Sequence, residues 1–260
     1  MIRAATERLR AAGSDTPALD AQLLLQDALG ISKTELAMRG HAPLPEDVAR
    51  EFDALIARRE AGEPVAYIVG RQFFADIEVL VDRRVLVPRP DTETLYEQAV
   101  AYAPAGGRVH EVGTGSGAVA LALARARDDL KVTASDISPD AVDVARGNAE
   151  RLGLDVPIEV ADGLPPGDFD LVVANLPYVR EDEWDMLSRT IREYEPRLAL
   201  VSGADGLDAI RALVAQAPPG TLLALEHAPH QAAAVRELLS RARTERDMAR
   251  RERVTIGRAP

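Results

Sequence analysis

The sequence contains no cysteine. That excludes disulfides, thiolate metal sites and a cysteine nucleophile together. Aromatic residues make up only 4% of the 260, with a single tryptophan, Trp184. The core of such a chain must be mostly aliphatic and alanine-rich. No apolar run approaches the roughly 18 residues needed to span a membrane. Met1-Ile2-Arg3-Ala4-Ala5-Thr6-Glu7 carries charges where a signal peptide would have its apolar region, so a soluble cytoplasmic protein without membrane contact is expected. The histidines are scattered without metal-ligand spacing, so no metal site is expected. A nucleophile elbow is also missing. The net charge of −11 makes nucleic acid an unfavourable partner and suits a basic protein or a small substrate.

The 260 residues suffice for one large domain or two of unequal size. Residues 1 to about 62 look helical throughout. Ala18 to Leu29 has apolar residues at helical spacing and stops at Gly30. Ser14 or Ser32 can cap helices, and Glu35 completes a capping box with Ser32. Pro43-Leu44-Pro45 interrupts the pattern, and Glu46 to Arg59 resumes it. Such a bundle can be purely structural, or it can recognise the larger body of a substrate.

Residues 63–90 read as a linker. The stretch Phe73 to Val81 alternates as a β-hairpin does. It leads to Val87-Pro88-Arg89-Pro90-Asp91-Thr92-Glu93, where Asp91 or Thr92 can cap the helix running through Leu95 and Tyr96. This turn is either a rigid connector or a flap over a cofactor, which makes Arg89 a candidate contact. From Arg108 onward strands and helices alternate, so residues 91–260 form an α/β domain with a mostly parallel sheet covered on both faces. Expected strands are Val109–Val112, Val132–Ser135, Pro157–Val160, Phe169–Ala174, Thr221–Leu225 and Val254–Ile256. Expected helices are Ala118–Arg125, Pro139–Leu152, Leu207–Ala215 and Gln231–Arg241.

The ends of these strands carry the chemistry. Glu111-Val112-Gly113-Thr114-Gly115-Ser116-Gly117 lies between a strand and a helix, where glycines let a ligand approach the main chain. Asp136, followed by Ile137, ends the next strand 19 positions beyond Gly117, a spacing at which an acid can accept both ribose hydroxyls. The glycines run G-x-G-x-G, unlike the G-x-G-x-x-G of dinucleotide binders. A nucleoside cofactor such as S-adenosyl-L-methionine is therefore favoured over NAD. Asp162-Gly163 after the third strand is either an adenine contact or a plain turn. Asn175-Leu176-Pro177-Tyr178 follows the fourth. Its Asn oxygen and a backbone carbonyl can accept both N–H bonds of a flat amide or amino group while the ring covers the face. Trp184, in Glu181-Asp182-Glu183-Trp184-Asp185, reads as a loop anchor. His227 reads as a packed strand end, and the arginine-rich run from Arg241 to Arg253 as a solvated face.

These residues together resemble the release-factor glutamine methyltransferases, which N5-methylate the glutamine of the Gly-Gly-Gln motif in peptide-chain release factors. The resemblance runs nearly end to end. It rests on Arg58 to Tyr67, Val87 to Leu95, Gly113 to Gly117, Glu195 to Leu200, Leu225-Glu226-His227 and Arg253 to Arg258. The Pro-Arg-Pro-Asp-Thr-Glu stretch is specific to that family, whereas the glycine turn is common to most S-adenosylmethionine-dependent methyltransferases. The resemblance implies a helical N-terminal substrate-recognition domain, a hairpin linker and a Rossmann-like seven-stranded catalytic domain. It implies cofactor contacts on Gly113, Thr114, Gly115, Ser116, Gly117, Asp136 and Asn175. Glu111, Ile137, Asp162, Gly163 and Arg89 are further candidates. It implies substrate contacts on Asn175, Leu176, Pro177 and Tyr178, with release factors as the protein partner.

The chain departs from the family pattern in three places. The family usually reads Asn-Pro-Pro-Tyr, and Leu176 replaces the first proline. Asn-Leu-Pro-Tyr is typical of ribosomal-RNA adenine dimethyltransferases. Glu111 stands where Asp is common, and Gly163 where a larger residue is frequent. A small amide or guanidino acceptor and an adenine of nucleic acid therefore remain open beside the release factor.

Overall fold

A computed structural model describes residues 1–39 and 43–260. The helical expectation for residues 40–42 falls outside the described residues. The chain divides into two compact units, residues 1–71 with 188–194, and residues 72–187 with 195–260.

The first unit is helical: α1 (Ile2–Ala11), α2 (Pro17–Leu29), α3 (Lys33–Arg39), α4 (Glu46–Glu60) and α5 (Val65–Val69), joined by the short helix Arg189–Tyr194. Leu9, Leu24, Leu25, Phe52 and Ile56 form its core. Helix α2 starts on Pro17 and stops where Gly30 turns left-handed. Ser32 and Glu35 make the reciprocal capping box at α3: the Glu35 carboxylate accepts from Ser32 N–H at 2.7 Å and Ser32 Oγ accepts from Glu35 N–H at 3.2 Å. Ser14 caps no helix directly. Its hydroxyl donates to Asp20, whose carboxylate also takes Arg59.

The second unit opens with the hairpin of β1 (Arg71–Phe74, reaching one residue back into the first unit) and β2 (Ile77–Leu80). Then follow α6 (Glu93–Tyr102), β3 (Arg108–Val112), α7 (Ala118–Ala126), β4 (Lys131–Asp136), α8 (Pro139–Leu152), β5 (Ile158–Val160) and β6 (Leu171–Ala174). After α9, the Arg189–Tyr194 helix of the first unit, come α10 (Asp208–Gln216), β7 (Leu222–Glu226), α11 (Ala232–Glu237), β8 (Ser240–Arg246) and β9 (Glu252–Arg258). The sheet runs β5-β4-β3-β6-β7-β9-β8. It is parallel from β5 to β7, and β9 is antiparallel to both its neighbours. Strands β3 and β6 are buried almost along their whole length; β6 is accordingly apolar throughout, whereas β3 also buries His110 and Glu111.

The chain goes from β3 to β4 on one side and returns to β6 on the other. Such a reversal of strand order opens a crevice at the carboxyl ends of the strands. Val112 is in register with both Ser135 and Ala174. The residues just beyond these three, Gly113, Asp136 and Asn175, therefore stand side by side.

Two expectations need correction. The helix foreseen for 231–241 ends at Glu237, and Ser240 to Arg246 is a strand. The arginine-rich run is not a solvated face throughout. Arg253, on β9 between β7 and β8, is 5% exposed and pairs with Asp91 at 2.8 Å. Burial of a guanidinium is tolerable because carboxylates meet it there. Among the described residues, no helix is long and apolar enough to cross a membrane.

Asn148 of α8 joins the hairpin to the glycine turn. Fully buried, it accepts from Leu80 N–H at 2.7 Å and donates to the carbonyls of Leu80 and Ser116, both at 2.9 Å. Asn148→Ala leaves all three backbone groups without partners. The expected loss is about 2–4 kcal/mol of stability, read from the denaturant midpoint.

Candidate active site

The crevice between β3, β4 and β6 is a cleft of about 900 Å³ including its open mouth. Its lining includes Arg89, Thr92, Glu111, Gly113 to Ser116, Asp136, Ile137 and Asn175 to Pro177. Residues separated widely in sequence thus meet in one place. Gly117, Asp162, Gly163 and Tyr178 are not part of the lining.

The glycine turn is shaped by close packing on one side and open space on the other. A Cβ on Gly113, which has φ +75°, would meet Leu176 Cδ2 at 3.0 Å. A Cβ on Gly115 would meet nothing within 4 Å. The first glycine thus makes room for the loop after β6, while the second leaves main chain bare toward the cleft. Gly117 ends the turn as the N-cap of α7.

Glu111 ties the turn to that helix. Its carboxylate accepts from the Thr114 hydroxyl at 2.6 Å and from Ala120 N–H, in the first turn of α7, at 2.9 Å. Burial pushes its carboxyl up to about 8, against the pull of those two bonds. The folded protein therefore holds this proton more tightly than the unfolded chain, whose carboxyl sits near 4.5. Stability from this site is complete below the lower value and falls as pH rises toward the upper one. Glu111→Gln still accepts both bonds but cannot ionise. Relative to wild type, it should gain on the order of a few kcal/mol between about pH 5 and about pH 8, measured by urea unfolding at each pH.

Asp136 spends part of its carboxylate on the backbone. Oδ2 accepts from Gly115 N–H at 2.8 Å and Oδ1 from Ser138 N–H at 2.9 Å. Burial raises its carboxyl above the usual range, opposed by these amides. It fixes the glycine turn and still faces the cleft with its remaining lone pairs. Ile137, next to it, is 49% exposed, an apolar side chain left bare at the cleft wall.

Asp162 is exposed and away from the lining. Gly163 has φ +85°, and the amide of Gln216 occupies the place a side chain would take. Gln216 Oε1 accepts there from Leu164 N–H at 2.7 Å. The missing side chain at Gly163 is thus filled by α10.

At the end of β6, Asn175 Nδ2 donates to Thr92 Oγ1 at 3.0 Å. The Leu176 side chain is 9% exposed and joins the core with Val112, Ala174, Leu207 and Ile210. The residue at the family's proline position therefore spends its bulk on packing against Gly113 and the core. Tyr178 is half-buried behind the cleft, and its hydroxyl donates to Glu226 Oε1 at 3.4 Å. Burial and the neighbouring Glu226 push that phenol upward. Its hydroxyl thus ties the loop to the end of β7. The loop is further held by Gln231, whose Nε2 donates to the carbonyls of Tyr178 at 2.9 Å and Asp205 at 3.1 Å.

Thr92 and Asp91 do not cap α6 with their side chains. Thr92 faces Asn175, and Asp91 pairs with Arg251 and Arg253. Arg89 lines the cleft and pairs with the buried Glu195. His227 is packed: Nδ1–H donates to the Ala228 carbonyl at 2.9 Å and Nε2 accepts from Thr255 at 2.8 Å. Burial lowers its pKa, which keeps it neutral. Trp184 is half-buried, with the Arg197 guanidinium 5.3 Å from its ring centroid.

The residues that sequence reasoning missed are Thr92 as an Asn175 partner, Glu226, Gln231 and Asn148. The Leu225-Glu226-His227 stretch carried the signal for Glu226, because a carboxylate at the end of a central strand is out of place unless it serves the crevice.

Comparison with known proteins adds to this geometry. The family model described as PrmC N-terminal domain matches residues 1–70, and one described as methyltransferase domain matches residues 109–196. A release factor glutamine methyltransferase of Xylella fastidiosa (strain Temecula1) is 40% identical over 100% of this chain and 97% of its own length. One from Yersinia pestis is 41% identical over 94% of this chain and 93% of its own. A methyltransferase structure from Pyrococcus furiosus aligns with a TM-score of 0.51 and 19% identity, covering 78% of this chain and 95% of that one. This last likeness speaks for the fold alone.

Proposed function

Because the chain belongs to the release factor glutamine methyltransferase family, we propose that it transfers a methyl group from S-adenosyl-L-methionine to the side-chain amide nitrogen of the Gly-Gly-Gln glutamine in peptide-chain release factors. The observation that carries this reading is the juxtaposition of Gly113, Asp136 and Asn175 at adjacent strand ends. A donor site and an acceptor clamp then share one cleft.

The residues present suit the donor. Gly115 leaves bare main chain facing the cleft, Asp136 offers carboxylate lone pairs for ribose hydroxyls, and Ile137 offers an apolar surface for a base. S-adenosyl-L-methionine supplies a methyl group made electrophilic by its sulfonium. The chain's own task is orientation, since an amide nitrogen is a poor nucleophile. Asn175 Oδ1 and the Leu176 carbonyl accept the two N–H bonds of the glutamine amide and aim its nitrogen along the line of attack. Orientation of this kind is worth up to roughly 7–11 kcal/mol in intramolecular reactions. Pro177 stiffens the loop, and Tyr178 and Gln231 hold it from behind. No strong base is required, because the alkylated nitrogen becomes acidic and loses its proton after transfer. Residues 1–62 recognise the body of the release factor, residues 63–90 connect, and residues 91–260 carry the chemistry. A cytoplasmic location fits a partner that works in translation.

Small amides and adenine were alternatives because of Leu176. Its side chain packs into the core, which supports a clamp unchanged in shape. The net charge of −11 weighs against nucleic acid. The test is transfer of label from the cofactor to a purified release factor. Wild-type factor takes up label and its Gln→Ala variant does not. Label appearing only in a small-molecule or RNA fraction of cell extract would replace this reading.

A further inference from the structure

Arg84 and Arg89 both line the cleft, and they are held differently. Arg84 turns its fork onto Asp82: Nε donates to Oδ1 at 2.9 Å and Nη2 to Oδ2 at 2.6 Å. Arg89 is paired end-on. Its Nη2 donates to Glu195 Oε1, and the other oxygen of that acid, Oε2, has no partner. A fork-to-fork pair would have used both carboxylate oxygens. The Glu195 side chain is 1% exposed, whereas that of Arg89 is 34% exposed and reaches the cleft. Nε and Nη1 of Arg89 make no hydrogen bond among the described residues. Most of this guanidinium's donors are therefore left for a ligand.

The backbone keeps the group in place. Pro88 and Pro90 flank Arg89, which is extended (φ −98°, ψ 147°), the conformation favoured before a proline. Its carbonyl accepts from Thr92 N–H at 3.1 Å, and the Thr92 hydroxyl accepts from Asn175. Arg89 thus belongs to the turn that is tied to the acceptor clamp.

A guanidinium with an open edge matches a planar anion such as a carboxylate. The glutamine amide is neutral. In S-adenosyl-L-methionine the base, ribose, sulfonium and amino acid follow one another, and the carboxylate is the one anionic group. With the base at Ile137 and the ribose at Asp136, the sulfonium comes next toward Asn175. The carboxylate lies beyond it, on the side of the Arg89 turn. We propose that Arg89 is the carboxylate receptor of the cofactor site, held end-on by Glu195 so that its open edge meets the amino-acid end of the donor. The proposal rests on the cofactor reading above and deepens it. The donor is then gripped on both sides of its sulfonium, by Asp136 at the ribose and by Arg89 at the carboxylate. That fixes the direction of the methyl group relative to Asn175.

The test is calorimetry with S-adenosylhomocysteine and with its decarboxylated analogue, which keeps the base, ribose, sulfur and amine. Wild type should bind the carboxylated compound about 10- to 100-fold more tightly, the usual worth of hydrogen bonds to a charged group. Arg89→Met alone leaves Glu195 buried without its cation and endangers the fold. The informative variant is therefore Arg89→Met combined with Glu195→Gln, which removes both charges. In it S-adenosylhomocysteine should weaken about 10- to 100-fold and the analogue by less than about threefold, so that the preference disappears. Glu195→Gln alone still accepts from Nη2 and should keep the preference. Equal affinity of wild type for the two compounds would overturn the proposal without any variant. Equal weakening of both compounds in the double variant would also overturn it, because Arg89 would then only shape the cleft. So would unchanged affinity for S-adenosylhomocysteine with a raised KM for the release factor, which would assign Arg89 to the acceptor. Wild type that binds S-adenosylhomocysteine without regard to the carboxylate sinks the role of Arg89 and leaves the cofactor reading standing; wild type that does not bind it at all sinks the cofactor reading itself.

Discussion

Asn175→Ala should turn over about 10²- to 10³-fold more slowly than wild type while still binding cofactor. The magnitude follows from removing one preorganised hydrogen-bonding group aimed at the reacting centre. The substrate amide keeps one acceptor, the Leu176 carbonyl, and becomes free to rotate about that single bond. Orientation is lost and the attack geometry becomes rare. The cofactor should suffer little, because Gly115, Asp136 and Ile137 lie at and just beyond the ends of β3 and β4 rather than after β6. The variant should fold, since the bond it removes, Nδ2 to Thr92, is worth about 1 kcal/mol. Rapid-mix kinetics and calorimetry with the cofactor separate the two effects. Normal turnover in this variant would remove Asn175 from the mechanism.

Gly206→Ala should be the most damaging conservative change away from the cleft. Gly206 has φ +77°, and a Cβ there would lie 2.2 Å from the Tyr178 carbonyl oxygen and 2.5 Å from Gln231 Nε2. Backbone cannot yield as a flexible side-chain tip can. The hydrogen bond from Gln231 to Tyr178 must break, and the loop carrying Asn175 to Tyr178 must shift with it. The expected cost is about 3–5 kcal/mol of stability, from overpacking, a strained left-handed alanine and a lost buried bond. Activity should fall at least tenfold even at temperatures where the variant stays folded, because a shift of about 1 Å in a positioning loop is costly. Thermal unfolding and turnover of the folded fraction check both parts. Full activity in a destabilised Gly206→Ala would show that the loop tolerates movement.

Much of this site can be read from sequence because strand ends are readable. The apolar run Leu171–Ala174, and Val109–Val112 set directly before a glycine turn, announce buried strands, and the first residues after them are the ones that face the crevice. Gly113, Asp136 and Asn175 therefore stand out by position as well as by type. Ile137 is legible for the same reason. What the sequence hides is the set of side chains that meet from distant elements. Thr92 lies 83 positions from Asn175, and no periodicity connects them. A threonine before a helix reads as a cap, and here the hydroxyl is used elsewhere. Gln231 and Asn148 look like ordinary helix-start and helix-interior residues, yet each satisfies backbone groups of another segment.

The arginine-rich end of the chain misled for a different physical reason. Strand β8 is an edge strand with exposed charges on it, so apolar alternation is weak. Charge on an edge strand discourages pairing with other chains and at the same time erases the strand signal. Arg253 looks like its neighbours but sits on β9, with strands on both sides. There it is buried against Asp91 and Asp247. Leu176 shows the converse. By type alone it marks a departure from the family's clamp, whereas in place it fills the space above Gly113 and leaves the polar groups of the clamp to the backbone and Asn175.

The most direct measurement of the central claim is a crystal structure of the protein with S-adenosylhomocysteine and a peptide containing Gly-Gly-Gln. The account predicts the glutamine amide nitrogen within hydrogen-bonding distance of both Asn175 Oδ1 and the Leu176 carbonyl, with the Asn175 nitrogen on Thr92. A glutamine amide bound elsewhere in the cleft, or held by neither acceptor, would contradict it.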